Sequence, residues 1–277
     1  MKLDVYSIDG KKLKQVEAPV QFREKVRQDL IKKAVLAIQS QRRTPYGTSK
    51  EAGFRQSHYI SKRRRRWKGT YGRGQSRTPR KVMTKRGSQF YYVGAFAPHT
   101  VGGRRAHPPK SEKDWLKEIN KKERRKAICS ALAATLNEGL VKLRGHKIES
   151  LHNVVESKLE NLSKTKEIKN TLLALGLKNE LKRINEKKIR AGKGKSRGRK
   201  YKVKTGPLIV ISKKCALESA AVNLPGVDIC IMKNLNAELL APGTFPGRLT
   251  IFTEDALKVL QEQELFLNKI KKERKPQ

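Results

Sequence analysis

The chain has 277 residues and a formal net charge of +40 at neutral pH, with 65 Lys and Arg against 25 Asp and Glu. This excess favours a polyanionic partner, and the apolar content suffices for one hydrophobic core. The sequence contains no run of about 18 apolar residues, so no membrane-spanning helix is predicted. Three unpaired cysteines and the lack of an apolar segment after Met1 predict a reduced, cytoplasmic protein without disulfides.

The chain opens with a predicted β-hairpin. Alternating apolar residues flank the dipeptide Asp9-Gly10, which is a strong signal for a tight turn. From Phe22 the apolar period changes to that of a helix, and its stripe ends near Gln41. We expect that stripe to face the core.

The segment from Arg42 to Lys110 contrasts with its surroundings. Its 69 residues hold nineteen Lys and Arg, nine Gly, five Pro and a single acid, Glu51. No apolar period persists, so the segment predicts a long extended loop without a core of its own. It nevertheless holds nine of the sixteen Phe, Tyr and Trp of the chain. Cations that meet phosphates, together with rings that stack on unpaired bases, indicate a segment that becomes ordered on RNA.

A helical stretch is predicted to begin at Ser111, because acids occupy its first turn. Apolar residues between Ile128 and Leu136 then recur at helical spacing and predict packing on a core. The basic loop thus leaves after one helix and returns at another. It is therefore predicted to be an insertion into a single globular part formed by residues 1–41 and 111–262.

The remaining elements alternate between strands and helices. Predicted strands are Val154-Val155, Leu208–Ile211, Val227–Met232 and Leu249–Phe252. Predicted helical segments are Thr165–Leu175 (capped by Gly176), Leu177–Lys188, Ala237–Leu240 and Asp255–Leu260, and Cys215–Leu224 separates two of the strands. This order predicts an α/β fold with a mostly parallel sheet flanked by helices. Residues 263–277 are predicted to be a charged tail.

A second basic segment, residues 187–204, has ten cations and no acid. Its glycines allow backbone N–H groups to approach phosphates, so we interpret it as a hook that grips RNA backbone. Gly194-Lys195-Ser196 resembles the end of a nucleotide-binding loop. That motif requires a glycine where Ile189 stands and a preceding apolar strand, which argues against a nucleotide-hydrolysing site.

Other site chemistries have weaker support. The five histidines are irregularly spaced and no Cys-x-x-Cys pair exists, so no metal, cofactor or catalytic group is predicted. His146 and His152 are expected at the surface, and Asp228 is expected to be solvated or salt-bridged. The run Arg63–Arg66 also fits a nuclear localisation signal, although the rings and cations around it favour nucleic acid.

The candidate RNA-binding residues are mainly the cations of the two basic segments. They are Arg42, Arg43, Arg55, Arg63, Arg64, Arg65, Arg66, Trp67, Lys68, Arg73, Arg77, Arg80, Lys81, Arg86, Arg104, Arg105, His107, Lys110, Arg190, Lys193, Lys195, Arg197, Arg199 and Lys200.

Several long motifs, in order along most of residues 1–260, resemble the large-subunit ribosomal protein four family in its archaeal and eukaryotic form. These motifs are Arg73-Gly74-Gln75, Gly103–Lys110 with Ser111–Asp114, Lys126–Thr135, Lys188–Lys195, Gly206–Val210, Leu235–Gly243 and Gly247–Glu254. Eukaryotic members carry a longer C-terminal extension, so a chain ending at Gln277 is expected to be archaeal.

The resemblance implies a structural constituent of the cytoplasmic ribosome that is neither an enzyme nor a homo-oligomer. It implies an α/β domain that binds large-subunit rRNA early in assembly. It also implies a long loop that narrows the peptide exit tunnel beside large-subunit protein twenty-two, with the nascent peptide near the loop tip. The stretch Gly87–Ala97 departs from the family pattern, so the tunnel-lining residues stay open.

Two other classes of function compete with this interpretation. An RNA-modifying enzyme would need a substrate or cofactor pocket in the α/β part. A nucleic-acid chaperone or DNA-compacting protein would have no use for an ordered α/β domain with an aromatic-rich insertion.

Overall fold

The computed structural model describes residues 1–66, 69–81 and 93–268. The candidate residues Trp67, Lys68 and Arg86, and most of the predicted tail, lie outside the described residues. The chain divides into two compact units, which we describe separately. The α/β unit comprises Met1–Arg42 and Leu116–Gln277, and the basic unit comprises Arg43–Trp115.

Eight α-helices are present in the described residues, all in the α/β unit. They are α1 (Gln28–Gln41), α2 (Lys121–Thr135), α3 (Glu138–Leu143), α4 (Thr165–Ala174), α5 (Lys178–Asn185), α6 (Ala216–Ala221), α7 (Ala237–Leu240) and α8 (Glu254–Glu262). The strands are β1 (Lys2–Tyr6), β2 (Lys12–Glu17), β3 (His58–Tyr59), β4 (Arg80–Lys81), β5 (Val154–Val155), β6 (Lys188–Ile189), β7 (Tyr201–Lys202), β8 (Leu208–Ile211), β9 (Asp228–Ile231) and β10 (Thr250–Thr253).

The central sheet has six strands in the order β2-β1-β5-β10-β8-β9. β1 and β2 form the predicted antiparallel hairpin, and Gly10 in its turn has a φ of +80° that suits glycine. The four remaining pairings are parallel. The predicted α/β fold with a mostly parallel sheet is therefore confirmed.

The central strands β5, β8 and β10 are buried on both faces, as their continuous apolar runs predict. Every residue of β8 is buried; Leu208 and Val210 contribute to one hydrophobic cluster, and Ile209 and Ile211 to the other. This alternation follows the two-residue period of a strand. Helices α1, α2, α7 and α8 supply the first cluster, whereas α4 and α6 supply the second. Helices thus cover the sheet on both faces.

The helix predicted from Ser111 begins ten residues later, at Lys121. The prediction is wrong because tertiary contacts hold the preceding residues outside a helix. The backbone N–H of Lys117 donates to Ser40 Oγ at 2.9 Å instead of to a carbonyl one turn earlier. Farther along, α5 ends at Asn185 rather than at the predicted Lys188, because Lys188 pairs with β7.

The carboxyl ends of β8 and β10 meet at a buried carboxylate, that of Glu160. Its oxygens accept hydrogen bonds from the Ser212 N–H at 2.8 Å, the Ser212 hydroxyl at 2.7 Å and the Thr253 hydroxyl at 2.6 Å. Open α/β sheets bind ligands at this edge. Here the side chain of Glu160 occupies it and ties the two strands together.

The predicted division into one globular part and two basic segments stays a prediction, which limited trypsin digestion tests. Trypsin is expected to cut first within residues 42–110 and 187–204, because most of the described Lys and Arg there are exposed on backbone with little regular structure. The remaining fragments should stay associated. Early cleavage within residues 208–260 would contradict the division.

Candidate nucleic-acid interface

The basic unit presents most of its candidate cations on its surface. Two pairs of strand residues join β3 to β4, and the Lys81 N–H donates to the Val93 carbonyl at 2.9 Å. Arg80, Lys81 and Arg104 are half-buried around this short sheet. The exposed candidates are Arg43, Arg55, Arg63, Arg64, Arg65, Arg66, Arg73, Arg77, Arg105, His107 and Lys110.

Some rings of the basic unit pack on one another. The ring centroids of Phe54 and Phe96 lie 4.4 Å apart, and the His58 ring is nearly parallel to that of Phe96 at 4.9 Å. The Arg104 guanidinium lies 5.1 Å from the Phe96 centroid. These contacts are local packing that the sequence did not predict, while the expectation of a loop without a core of its own stays a prediction. These ring contacts could not be predicted from the sequence, because residues about forty positions apart leave no periodic pattern. All the rings of the segment were therefore assigned to RNA binding.

The run Arg63–Arg66 is exposed and includes a turn at Arg64 and Arg65. The Gly69 N–H donates to the Arg66 carbonyl at 2.8 Å. The Arg66 guanidinium lies 5.6 Å from the Tyr59 centroid. Arg63, Arg64 and Arg65 form no ion pair with any described acid. Adjacent positive charges that form no ion pair with a described acid favour a polyanion as the counter-charge.

Cations of the α/β unit are arranged differently. Lys14 pairs with Glu254 at 2.9 Å and Lys33 pairs with Glu123 at 2.8 Å. Arg42, a candidate RNA-binding residue at the end of α1, pairs with Glu238 at 2.9 Å. Acids therefore offset much of the positive charge in this unit.

The second basic segment, residues Lys187–Lys204, which we call the hook, is a β-hairpin. Lys188 pairs with Lys202 and Ile189 pairs with Tyr201. At its tip, Gly192 and Gly198 have φ values of +80° and +78°. The tip carries five exposed cations: Lys193, Lys195, Arg197, Arg199 and Lys200. Arg190 is half-buried and donates from Nε to the Arg199 carbonyl at 3.1 Å.

The hairpin also explains Gly194-Lys195-Ser196. These residues form a tip turn, in which the Arg197 and Arg199 N–H groups both donate to the Gly194 carbonyl at 3.2 and 3.1 Å. A nucleotide-binding loop instead lies between a strand and a helix N-terminus. The hairpin therefore agrees with the sequence argument, based on Ile189, against a nucleotide-hydrolysing site.

Buried polar groups anchor the base of the hook. The Glu180 carboxylate is fully buried and accepts from Arg183 at 2.6 and 2.8 Å and from the Lys147 N–H at 2.9 Å. Arg183 also donates to the Thr205 carbonyl at 2.7 Å, one residue beyond the hook. The hook therefore leaves the α/β unit from a fixed point.

His146 completes this network and corrects the sequence expectation. It is 4% exposed, not at the surface, and its Nδ1 lies 2.6 Å from a Glu180 oxygen. Burial lowers the pKa of His146, so the neutral ring donates its Nδ1 proton to Glu180. Burial alone would raise the pKa of Glu180, but hydrogen bonds from Arg183, His146 and Lys147 outweigh it and lower the pKa to about 2.

A second buried cation, Arg248, lies near the base of the hook. Arg248 is 1% exposed and donates to the Gly206 carbonyl at 2.9 Å, the Leu239 carbonyl at 3.0 Å and the Asp228 carboxylate at 2.5 Å. Asp228 was expected to be solvated or salt-bridged, and it is both half-exposed and paired with Arg248. A Cβ added to Gly206 would lie 2.7 Å from the Gly226 carbonyl oxygen, so only glycine fits there. The available sequence signal for Arg248 was a charged residue directly before the predicted strand Leu249–Phe252.

The described residues contain neither a metal site nor a membrane-spanning helix. No three His, Cys, Asp or Glu side chains are placed so that they form a metal site. Among the same residues, the helices are all too short or too polar to span a bilayer.

The fold and the charge distribution define a strongly basic α/β protein with cations on two glycine-rich segments, as in proteins that bind nucleic acid. The model of the ribosomal protein L4/L1 family matches residues 16–263, and the chain belongs to this family. The family resemblance stated from the sequence motifs is therefore confirmed.

Three archaeal relatives are named large ribosomal subunit protein uL4. The one from Nanoarchaeum equitans is 52% identical over 267 residues, which cover 96% of this chain and 100% of the relative. The one from Archaeoglobus fulgidus is 44% identical, covering 95% and 99%. The one from Methanococcoides burtonii is 46% identical, covering 92% and 95%. The archaeal form of the family is thus confirmed.

Proposed function

We propose that this protein is a structural constituent of the large ribosomal subunit and binds large-subunit rRNA through the basic unit and the hook. The relatives' names support the ribosomal role. The observation that carries RNA binding is the contrast in ion pairing. Lys14, Lys33 and Arg42 pair with acids, whereas Arg63–Arg65 and the cations of the hook tip are exposed and form no ion pair with a described acid. Phosphates are the counter-charge that fits this arrangement.

The described candidate residues have graded roles in this proposal. The exposed cations of the basic unit and of the hook tip contact phosphates. Arg80, Lys81, Arg104 and Arg190 are half-buried, so they position backbone as well as charge. Arg42 contributes least, since Glu238 already neutralises it. Trp67, Lys68 and Arg86 stay in the proposal on their sequence alone.

The finer ribosomal roles also belong to this proposal. The protein supports early assembly of the subunit in the cytoplasm as a single copy rather than a homo-oligomer. Its basic unit lines the peptide exit tunnel, with large-subunit protein twenty-two as a neighbour and the nascent peptide near its tip. The resemblance to the family supports these roles, and the exposed residues 71–77 offer a suitable tip.

Membership of a ribosomal-protein family confirms the expectation that the chain is not an enzyme. The RNA-modifying alternative loses its main structural basis as well. The sheet edge that holds the active site in open α/β enzymes is occupied here by Glu160 and its three hydrogen bonds.

Salt dependence of RNA binding tests the role of the hook. Replacing Lys193, Lys195, Arg197 and Arg199 with Ala is expected to weaken binding to a large-subunit rRNA fragment and to flatten the plot of log K against log salt. Four lost phosphate contacts would reduce the slope by about 3–4, because each contributes about 0.7–0.9. Filter binding across a salt series measures this change.

A matched control removes the same charge from the α/β unit. Lys12, Lys33, Lys142 and Lys258 are exposed and ion-paired, so their replacement with Ala should change the slope much less. If the plot of log K against log salt has the same slope for both quadruple variants, the hook is a solvated hairpin that does not contact phosphates. The ribosomal role itself is checked by co-sedimentation of the wild-type protein with large subunits after a high-salt wash.

A further inference from the structure

The two ends of the basic unit meet at a pair of aromatic rings. The Thr48 N–H donates to the Pro109 carbonyl at 3.2 Å and joins the segment after Tyr46 to the segment before Trp115. Gly47 allows the close approach, since a Cβ there would lie 2.7 Å from the Ser111 nitrogen. Residues nearly seventy positions apart therefore form one site.

The rings of Tyr46 and Trp115 are stacked, with centroids 5.8 Å apart and planes 18° apart. The flat guanidinium of Arg43 lies 3.6 Å from the Trp115 centroid and 5.7 Å from that of Tyr46. The Lys113 ammonium lies 4.4 Å from the Trp115 centroid. Tyr46 nevertheless keeps 52% of its surface exposed. The stack is thus preorganised and leaves ring surface for another flat, electron-rich group.

A cavity of about 720 Å³ opens beside this stack. Its walls include both rings, Pro108 and the cations Arg105, Lys110 and Lys113. Cavities of about 300–1,000 Å³ are typical of sites for small ligands. Three cations against the single acid Glu112 favour an anionic ligand.

One polar group in the wall has no partner. The Nε1–H of Trp115 is buried and makes no hydrogen bond with any described residue. A buried donor left unpaired is unfavourable, so most buried indole N–H groups are bonded. The stacked rings and the cations of the wall therefore suit a ligand that combines a flat ring with an anionic group.

We propose that this cavity binds one unpaired RNA nucleotide, with its base stacked on the Tyr46–Trp115 pair and its phosphate held by Arg105, Lys110 and Lys113. The inference rests on the proposed RNA-binding function and adds a requirement for an unpaired base. In a duplex both faces of each base are covered by neighbouring pairs, so a base is free to stack on protein only in a loop, bulge or single strand. The site thus recognises RNA shape without reading sequence.

Fluorescence of Trp115 tests this proposal directly. The chain has two tryptophans, so Trp67→Phe leaves Trp115 as the only one while keeping a ring at position 67. The full-length Trp67→Phe protein is titrated with decaadenylate and, separately, with an abasic decamer of equal phosphate number. Stacking predicts strong quenching by decaadenylate and little by the abasic strand. Equal responses to both would overturn the proposal, because phosphates alone would then account for binding.

Variants at Tyr46 separate stacking from charge. Tyr46→Leu is expected to weaken decaadenylate binding by about 5- to 150-fold, the range for one base–aromatic stack, without changing the salt slope. Tyr46→Phe keeps the ring and should bind like the wild type. Phe245→Leu removes an exposed ring from the α/β unit and serves as the matched control. Wild-type affinity in Tyr46→Leu would overturn the proposal.

The two proposals fail in different ways. If the proposed function is wrong, the wild-type protein does not bind large-subunit rRNA and leaves large subunits in a high-salt wash. If only the nucleotide site is wrong, the wild type binds rRNA with a steep salt dependence, while Tyr46→Leu binds equally well.

Discussion

Replacing Glu180 with Ala is expected to lower the free energy of unfolding by about 3–5 kcal/mol, because it removes one partner of a buried ion pair. The loss leaves the buried ring of His146 without its acceptor and leaves Arg183 with only the Thr205 carbonyl. Urea denaturation monitored by circular dichroism measures the change. Glu186→Ala is the matched control, since its carboxylate is 71% exposed and pairs with Lys204 at the base of the hook. We expect that control to change stability little.

The effect of Glu180→Ala should depend on pH. A carboxyl group whose folded pKa is lowered contributes stability that is present above its unfolded pKa and is lost as pH falls. For Glu180 that window runs from about 4.5 down to about 2. The stability difference between wild type and Glu180→Ala should therefore narrow below pH 4.5, and a constant difference would contradict the ionised carboxylate.

The same substitution should also act on the hook. Arg183 links Glu180 to the Thr205 carbonyl, which directly follows the last residue of the hook. Without the Glu180 carboxylate, the Arg183 guanidinium loses the two hydrogen bonds that it donates to Glu180. Hydrogen exchange at residues 201–206 should therefore become faster in Glu180→Ala than in Glu186→Ala. Equal protection in both variants would show that the backbone hydrogen bonds of the hairpin alone anchor the hook.

Deleting Trp67–Pro79 and inserting a short Gly linker is expected to leave rRNA binding largely intact and to alter the constriction of the exit tunnel. The deleted tip includes residues 71–77, all of which are exposed. The hook and the rest of the basic unit keep their phosphate contacts in this variant. A density map of large subunits assembled with the variant measures the constriction, and the response to tunnel-binding inhibitors or stalling peptides gives a second readout.

A deletion in the hook supplies the control for this experiment. Replacing Gly192–Gly198 with a two-residue turn should weaken rRNA binding through lost cations without changing the tunnel. If the constriction is unaltered after deletion of Trp67–Pro79, the basic unit is only an anchor in rRNA. The base-stacking site at Tyr46 would be unaffected by that outcome.

Features determined by neighbouring residues could be predicted from the sequence. Asp9-Gly10 sets the first hairpin, and Ala237–Leu240 is helical over the predicted residues. Gly176 ends α4 with a φ of +75°, while the Leu177 N–H donates to the Leu172 carbonyl at 3.1 Å. Each of these depends on a local preference of the backbone, so distant residues do not change it.

The sequence alone also predicts a polyanionic class of partner. Net charge and its concentration in two segments are properties of composition, and the ring-rich insertion is visible without a structure. These properties decide which long-range electrostatic interactions are available. They do not decide which cation meets an acid of the same chain, as Arg42 does with Glu238.

Only the tertiary structure decided the pairings between distant residues. It placed His146 against Glu180, thirty-four positions away, and Tyr46 against Trp115, sixty-nine positions away. It also held Lys117 on Ser40 and so delayed α2 to Lys121 in spite of a good N-terminal signal at Ser111. Such contacts form when a chain closes long loops around a shared core. Their energies depend on burial and geometry that no local pattern encodes, and they exceed the few tenths of a kcal/mol by which local preferences differ.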